Sequence, residues 1–331
     1  MFYTKINNRR YLGNKYRILP FIKQTIAENC GDFETFADIF AGTGAVSSAY
    51  TDKILYTNDI LYSNYLCHLT WFSDEVFDIS KIENHINLYN SEIPFEENYM
   101  TQNFSGTYFS DKVCSKIGFI RGNIENEFKS GKINSRERAM LITSLLYGID
   151  KIANTCGHYD AYRKNAELLE SFTMCVPEPN EKLKHNHCFN EDTNELVRKI
   201  SADIVYIDPP YNSRQYCDAY HLIENIARWE KPEVFGVAKK MDRTALKSKY
   251  CTREAPAAFE DLVKNISAKY IVVSYNNMAK KGNDRSNARI SDIQILETLE
   301  NKGEVKTFSQ PLKAFTTGKS EHSDNKEKSV A

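Results

Sequence analysis

The run Asp203–Ile207 is short and apolar after its first residue, and it stops at Asp208-Pro209-Pro210-Tyr211. A strand of this kind belongs in a mainly parallel sheet covered on both faces by helices. The turn after it then lies at a strand's carboxyl end, where α/β proteins place their ligands. A tight turn accounts for the two prolines. It does not account for the acid before them and the aromatic after them. By average amino-acid usage an exact match arises by chance on the order of once per thousand chains of this length.

The flanking sequence supports an α/β rhythm. Glu34–Phe40 reads as a strand ending in a glycine turn, followed by a short helix from about Ala45. Lys53–Thr57 reads as a second strand, ending at Asn58-Asp59. After Asp208 come expected helices at Asp218–Trp229, with Trp229 in the core, and at Pro256–Ile266. A strand at Tyr270–Ser274 and a helix near Ile290–Asn301 follow. Between the two regions, from about Leu69 to Lys184, the pattern is amphipathic and helical. Its clearest helices are Asp111–Lys129 and Ser135–Ala153. The second is expected to have Ser135 as N-cap, with Arg138 rather than Glu at the capping-box position. The expected organisation is one catalytic domain from residues 1–69 and 187–318, a helical insert at 70–186, and a flexible tail at 319–331.

The chemistry of Asp208-Pro209-Pro210-Tyr211 is that of an amine activator. The lone pair of a base's exocyclic amine is delocalised into the ring. Acceptors for both amine hydrogens favour a tetrahedral nitrogen and free that lone pair. The Asp208 carboxylate can take one hydrogen and the Pro209 carbonyl the other. Neither Pro209 nor Pro210 has an N–H to compete. Tyr211 offers a face on which an extruded base can stack.

The second motif is Asp38-Ile39-Phe40-Ala41-Gly42-Thr43-Gly44. Glycine lets the backbone approach a ligand closely at a strand end. A dinucleotide-binding turn would want a third glycine, and this chain has Val46 near that place. Asp59, seventeen residues after Gly42, is placed to bind ribose hydroxyls. A glycine turn and a ribose acid without a phosphate cradle suit a nucleoside cofactor such as S-adenosylmethionine.

The chain has 331 residues and a formal net charge of -1, so a nucleic-acid partner must be met by local patches. One basic patch runs through Lys5, Arg9, Arg10, Lys15, Arg17 and Lys23. Another holds Lys239, Lys240, Arg243, Lys247, Lys249 and Arg253, and a third Lys280, Lys281, Arg285 and Arg289. Arg9, Arg10, Arg214, Tyr216, Lys247 and Lys249 are the candidate DNA contacts. The eight cysteines are scattered without a C-x-x-C pair, as expected of reduced thiols in a cytoplasmic protein. His185-Asn186-His187-Cys188 lacks the spacing of a zinc site, so no metal is expected.

Taken together, Tyr11-Leu12-Gly13-Asn14-Lys15-Tyr16-Arg17, Phe40-Ala41-Gly42-Thr43-Gly44, Asn58-Asp59 and Asp208-Pro209-Pro210-Tyr211 resemble the DNA adenine methyltransferases typified by the bacterial GATC methylase. The order of motifs is the same: cofactor first, recognition insert next, catalysis last. The resemblance covers roughly residues 3–69 and 187–318 and is weaker across the insert. It implies a Rossmann-like S-adenosylmethionine-dependent methyltransferase sheet with a mainly helical insert that reads duplex DNA. The implied catalytic set is Asp208, Pro209, Pro210 and Tyr211. The cofactor set is Tyr11, Lys15, Asp38, Phe40, Gly42, Gly44, Asp59, Asp192 and Asp208. Tyr11 and Lys15 would contact cofactor or substrate, Asp192 would hold the cofactor's adenine, and Ser274-Tyr275-Asn276-Asn277 would shape the base pocket. A monomer is expected, with a restriction endonuclease encoded elsewhere as its functional partner. Rival readings are a methyltransferase for cytosine, RNA adenine or a protein amide, and a catalytically silent DNA-binding subunit. Similar cytosine enzymes more often carry Ser, and protein-amide enzymes Asn, where this chain has Asp208. Similar proteins also end in a further apolar strand. Lys328-Ser329-Val330-Ala331 looks too short and polar for it, which would leave a strand at Glu304–Phe308 partly unpaired.

Overall fold

A computed structural model describes all residues except 1, 10, 179, 181–183, 276–287, 314–324 and 331. Its strands are β1 (Tyr3–Thr4), β2 (Thr35–Asp38), β3 (Ile54–Asn58), β4 (Val176–Pro177), β5 (His187–Phe189), β6 (Ser201–Ile207), β7 (Ser267–Tyr275), β8 (Phe308–Lys313) and β9 (Asn325–Val330). Its first helices are α1 (Leu19–Asn29), α2 (Tyr62–Phe72), α3 (Ile79–Asn90), α4 (Tyr99–Phe104), α5 (Asp111–Lys129) and α6 (Ser135–Asp150). The later ones are α7 (Thr193–Leu196), α8 (Tyr216–Ala219), α9 (His221–Arg228), α10 (Ala255–Asn265) and α11 (Asp292–Glu300).

One sheet has the order β5-β3-β2-β6-β7-β9-β8. Its first five strands are parallel, and β9 runs antiparallel to both β7 and β8. Alternation along the central strands feeds two cores. Phe36, Ile204, Tyr206 and Val272 pack under α1 and α2. Ala37, Val205, Ile207 and Val273 pack under α10 and α11. The chain turns one way from β2 to β3, and β6 lies on β2's other side. The carboxyl ends of β2 and β6 therefore flank a topological switch point, the usual place for a ligand crevice.

The helical segment shares a third core with the sheet-bearing part of the chain. Ile117 of α5 and Leu145 of α6 join Leu66 of α2 and Leu222 and Ile226 of α9. Every residue from Arg136 to Ile149 of α6 is buried. Arg121 of α5, also buried, donates from Nε to Ile226 O at 2.7 Å and from Nη2 to Ala227 O at 3.2 Å, closing orphan carbonyls at the end of α9. Among the described residues no helix is long and apolar enough to cross a membrane.

Several expected elements shift. The N-cap of α6 is Asn134, not Ser135. Its side chain accepts from Glu137 N at 2.8 Å while Glu137 Oε2 accepts from Asn134 N at 2.9 Å, a complete capping box one residue upstream of the expected half. The helix expected from Ala45 is only a single 3-10 turn at Ser47–Ala49, tightened where Ser47 Oγ donates to Asp38 Oδ2 at 2.8 Å. The helix expected at Asp218–Trp229 is two helices broken at Tyr220. Trp229 is half-buried in a left-handed cap with φ of 59° rather than central to the core. The missing-arm expectation is overturned. Residues 325–330 of the expected flexible tail form β9, paired with β8 from Phe308↔Val330 to Lys313↔Asn325 and touching β7 at Ser274↔Val330. An antiparallel arm pairs through its backbone and needs no continuous apolar run.

Candidate active site

The crevice is lined by residues from three distant parts of the chain. Tyr11, Leu12, Gly13 and Lys15 come from the N-terminal loop, and Asp38, Phe40, Gly42 and Asp59 from the first strand–turn units. Asp192, Asp208, Pro210, Tyr216, Lys247 and Lys249 complete it.

Asp208 directly follows β6 and forms an ion pair with Lys15, whose Nζ also donates to Gly13 O at 3.2 Å. The N-terminal loop is held over the crevice by two tyrosines that follow the Asp208–Tyr211 turn. Leu12 N donates to Tyr220 Oη at 2.8 Å, and Tyr216 Oη donates to Leu12 O at 3.3 Å. The Tyr11 ring stacks on Tyr220 at 4.8 Å between centroids. A Cβ on Gly13 would lie 2.9 Å from the Tyr216 hydroxyl, so glycine is what lets the loop close on that ring.

The glycine turn is equally constrained. Gly44 has φ of 88°, and a Cβ there would lie 2.6 Å from Phe72. Gly42 donates its N–H to Asp59 Oδ2 at 3.0 Å, and its carbonyl accepts from His68 Nε2 at 2.8 Å. Burial pushes the His68 imidazole down to about 4, so it is a neutral donor at this contact. Burial pushes Asp38 and Asp59 up to about 7 each, and the neighbouring carboxylates push the same way. Asp38 Oδ1 is buried without a hydrogen-bond partner.

Asp192 stands at the crevice but also caps α7, accepting from Asn194 N at 2.9 Å and Glu195 N at 3.3 Å. Its loop is fastened by Asn58, whose Nδ2 donates to Glu191 O at 3.1 Å, and by Asn190 Nδ2 donating to Asp59 O at 2.7 Å. Phe40 meets Tyr250 edge-on at 5.0 Å. Pro209 and Tyr211 fall outside the crevice lining, and Tyr211 packs edge-on against Tyr275 at 6.5 Å.

The expected DNA contacts separate. Lys247 and Lys249 are exposed at the crevice and Arg214 is exposed beside it. Tyr216 lines the crevice floor instead of a surface. Arg9 is only 3% exposed, its guanidinium lying over the Tyr11 ring at 5.9 Å and the Tyr220 ring at 5.6 Å. It packs against both rings of the stack, and the expectation that it meets a phosphate is corrected by its burial. Arg10, Asn276, Asn277, Lys280, Lys281 and Arg285 lie outside the described residues. Within the second basic patch, Lys240 and Arg243 are already engaged, with Asp160 at 2.9 Å and Asp218 at 2.7 Å. His185 pairs with Asp74 at 2.8 Å, while His187 stacks on Tyr56 at 4.8 Å, so the two imidazoles serve different neighbours.

Tyr220, His68 and Asn190 were missed by sequence reasoning. The spacing of Tyr216 and Tyr220 places both rings on one helical face and was the available signal for the first. Nothing local marks the other two, whose partners lie 26 and 131 residues away.

The sequence pattern of D12 class N6 adenine-specific DNA methyltransferases matches residues 11–285. The chain is 34% identical over 303 residues to modification methylase LlaI of Lactococcus lactis subsp. lactis, covering 82% of this chain and 46% of that protein. It is 35% identical over 290 residues to modification methylase StsI of Streptococcus sanguinis, covering 81% and 44%. It is 28% identical over 342 residues to type II methyltransferase M.NlaIII of Neisseria lactamica, covering 97% and 96%. The chain thus spans less than half the length of the first two and nearly all of the third. With its Asp208–Tyr211 turn and its glycine turn side by side at the switch point of a parallel sheet, the chain belongs to the D12 class N6 adenine-specific DNA methyltransferase family.

Proposed function

We propose that this chain transfers a methyl group from S-adenosylmethionine to the exocyclic amine of adenine in a short duplex DNA sequence, with the target base turned out of the helix. The observation that carries the reading is the convergence of Asp208, Lys15, Asp38 and Asp59 on one crevice at the ends of adjacent strands.

The donor set fits that cofactor. Asp38 and Asp59 are held up at about 7 by burial, with Asp208 adding to it at Asp38 and Glu224 at Asp59, and Asp38 keeps an orphaned oxygen. A ligand carrying a sulfonium and an ammonium supplies the positive charge such a site wants. Asp59 and Asp192 provide acceptors for ribose and adenine, and Phe40 provides an apolar wall. When bound, the cofactor supplies an electrophilic methyl group.

The chain's own residues then do three things. Asp208 and the Pro209 carbonyl accept the two amine hydrogens, freeing the nitrogen lone pair for in-line attack. One amine proton leaves through Asp208 to solvent. Tyr211, outside the cofactor crevice, stacks the extruded base. Catalysis is positioning plus fixed acceptors. Lys247, Lys249 and Arg214 are assigned to the DNA backbone. A restriction endonuclease encoded elsewhere is the corresponding functional partner, a reading supported by relatives named as modification methylases.

The test is label transfer from tritiated cofactor to duplex DNA, followed by identification of the modified base. N6-methyladenine at one short sequence is expected. Label in cytosine, in RNA alone or in protein would overturn the substrate, and no transfer would overturn the activity.

A further inference from the structure

A DNA methyltransferase must read base edges as well as hold a cofactor, and the insert's helix α6 is not free to do so. Residues 136–149 of α6 are all buried, and α3 and α5 turn their apolar stripes into the core shared with α9. Among the described residues, two loops beside α8 and α9 are built into one surface.

The first loop runs over residues 154–165. Asn154 Nδ2 closes it by donating to Arg163 O at 2.9 Å. Tyr159 anchors it: its N–H donates to Ala219 O at 2.8 Å, and its carbonyl accepts from Tyr108 Oη at 2.7 Å and His221 Nε2 at 2.7 Å. The second loop runs over residues 235–240. It is closed by Phe235 N donating to Lys240 O at 2.8 Å and Lys240 N donating to Phe235 O at 2.9 Å.

The loops are tied to each other and to the site. Lys240 Nζ reaches Asp160 Oδ1 at 2.9 Å, and Tyr108 Oη contacts Ala238 O at 3.1 Å as well as Tyr159. Lys240 and Arg243 both reach Asp218 of α8, at 3.8 and 2.7 Å, while Cys217 next to it lines the crevice. The His158 imidazole is pushed down by burial and then by the nearby Arg214 charge, and Arg214 lies three positions after Tyr211. Both loops are therefore fastened to the α8–α9 segment that follows the Asp208–Tyr211 turn.

What they present suits a duplex. Phe235 at the base and Val237 in the turn of the second loop are 56% and 73% exposed, and an apolar pair facing outward needs a reason. Arg163 and Lys164 are exposed on the first. Cations fix a duplex through its phosphates, and apolar tips press on base edges or wedge between steps.

We propose that loops 154–165 and 235–240, knitted together through Asp160–Lys240 and Tyr108, form the base-reading surface of this enzyme for duplex DNA. Phe235 and Val237 contact bases, and Arg163 and Lys164 contact the flanking backbone. The inference rests on the duplex-DNA reading above, and it moves target choice from the insert's helices to a junction of insert and catalytic segment.

The experiment compares the parent with Phe235→Ala/Val237→Ala, with Arg163→Ala/Lys164→Ala and with Lys129→Ala, a change on the exposed end of α5. It measures label transfer to a cognate duplex and to duplexes changed at one base pair, cofactor KM and thermal midpoint. The apolar double variant is expected to lose about tenfold or more in discrimination between these duplexes, with cofactor KM within about twofold. The basic double variant is expected to lose transfer about equally on all duplexes. Lys129→Ala is expected to change neither. Unchanged discrimination in a folded Phe235→Ala/Val237→Ala variant, in a parent that methylates DNA, would overturn the surface alone. A parent that methylates no DNA would overturn the function, and this surface with it.

Discussion

Lys15 and Asp208 form an ion pair across 193 positions of sequence, with side chains only 7% and 18% exposed. It ties the N-terminal loop to the Asp208–Tyr211 turn and sets one cation in the crevice that Asp208 shares with Asp38 and Asp59. Lys15→Met removes that cation while keeping the stem. Breaking a buried pair typically costs about 3–5 kcal/mol, and this partly hydrated one is expected near the lower end. Methyl transfer should fall by about a hundredfold or more. Transfer within about threefold of the parent would show the pair to be incidental.

Tyr220→Phe removes one acceptor and nothing else from the clamp on Leu12. The lost hydrogen bond is worth about 1 kcal/mol. The loop carrying Tyr11 and Lys15 should then close less firmly on the cofactor. Cofactor KM is expected to rise about fivefold, with kcat changed less than twofold. A fall in kcat at constant KM would assign the tyrosine to a different step.

The pH response follows from Asp38 and Asp59, each held at about 7 by burial. Unfolded, each would release its proton near 4, so between roughly pH 4 and 7 the folded state binds more protons. Their contribution to stability therefore falls as pH rises through that window and levels off above it. A cationic cofactor favours the ionised acids. Its affinity should rise between about pH 5.5 and 7, approaching tenfold per unit where one acid dominates. Asp38→Asn should flatten the slope. An equal slope in the variant would remove Asp38 from the account.

The parts of this site legible in the sequence were those written locally. The apolar strand before Asp208-Pro209-Pro210-Tyr211 and the glycines after β2 fixed the two turns. The turns' adjacency followed from the α/β pattern. Partnerships across the chain were invisible: Lys15 with Asp208, Leu12 with Tyr220, His68 with Gly42. Arg9 read as a surface cation because its run is basic, but the rings that bury it arrive from residues near and far. The capping box at Asn134 and Glu137 was misplaced by one residue because Ser135 is itself a good cap. β9 was misjudged because its composition is polar, and its partner β8 supplies what composition cannot show.

That hairpin gives a stability prediction. Deleting residues 325–331 removes the strand between β7 and β8. With ladder bonds contributing on the order of 1 kcal/mol each, the thermal midpoint should drop by several degrees or more. An unchanged midpoint would mean that β8 and β9 add nothing to the folded state.

The central claim is that Asp208 activates the amine and does not hold the DNA. The direct measurement is Asp208→Ala, assayed for label transfer to cognate duplex and, separately, for binding of that duplex. Transfer should fall by far more than tenfold, beyond ~1.4 kcal/mol of transition-state stabilisation, while duplex affinity stays within about threefold. Transfer within tenfold of the parent, or transfer lost in step with binding, would contradict the account.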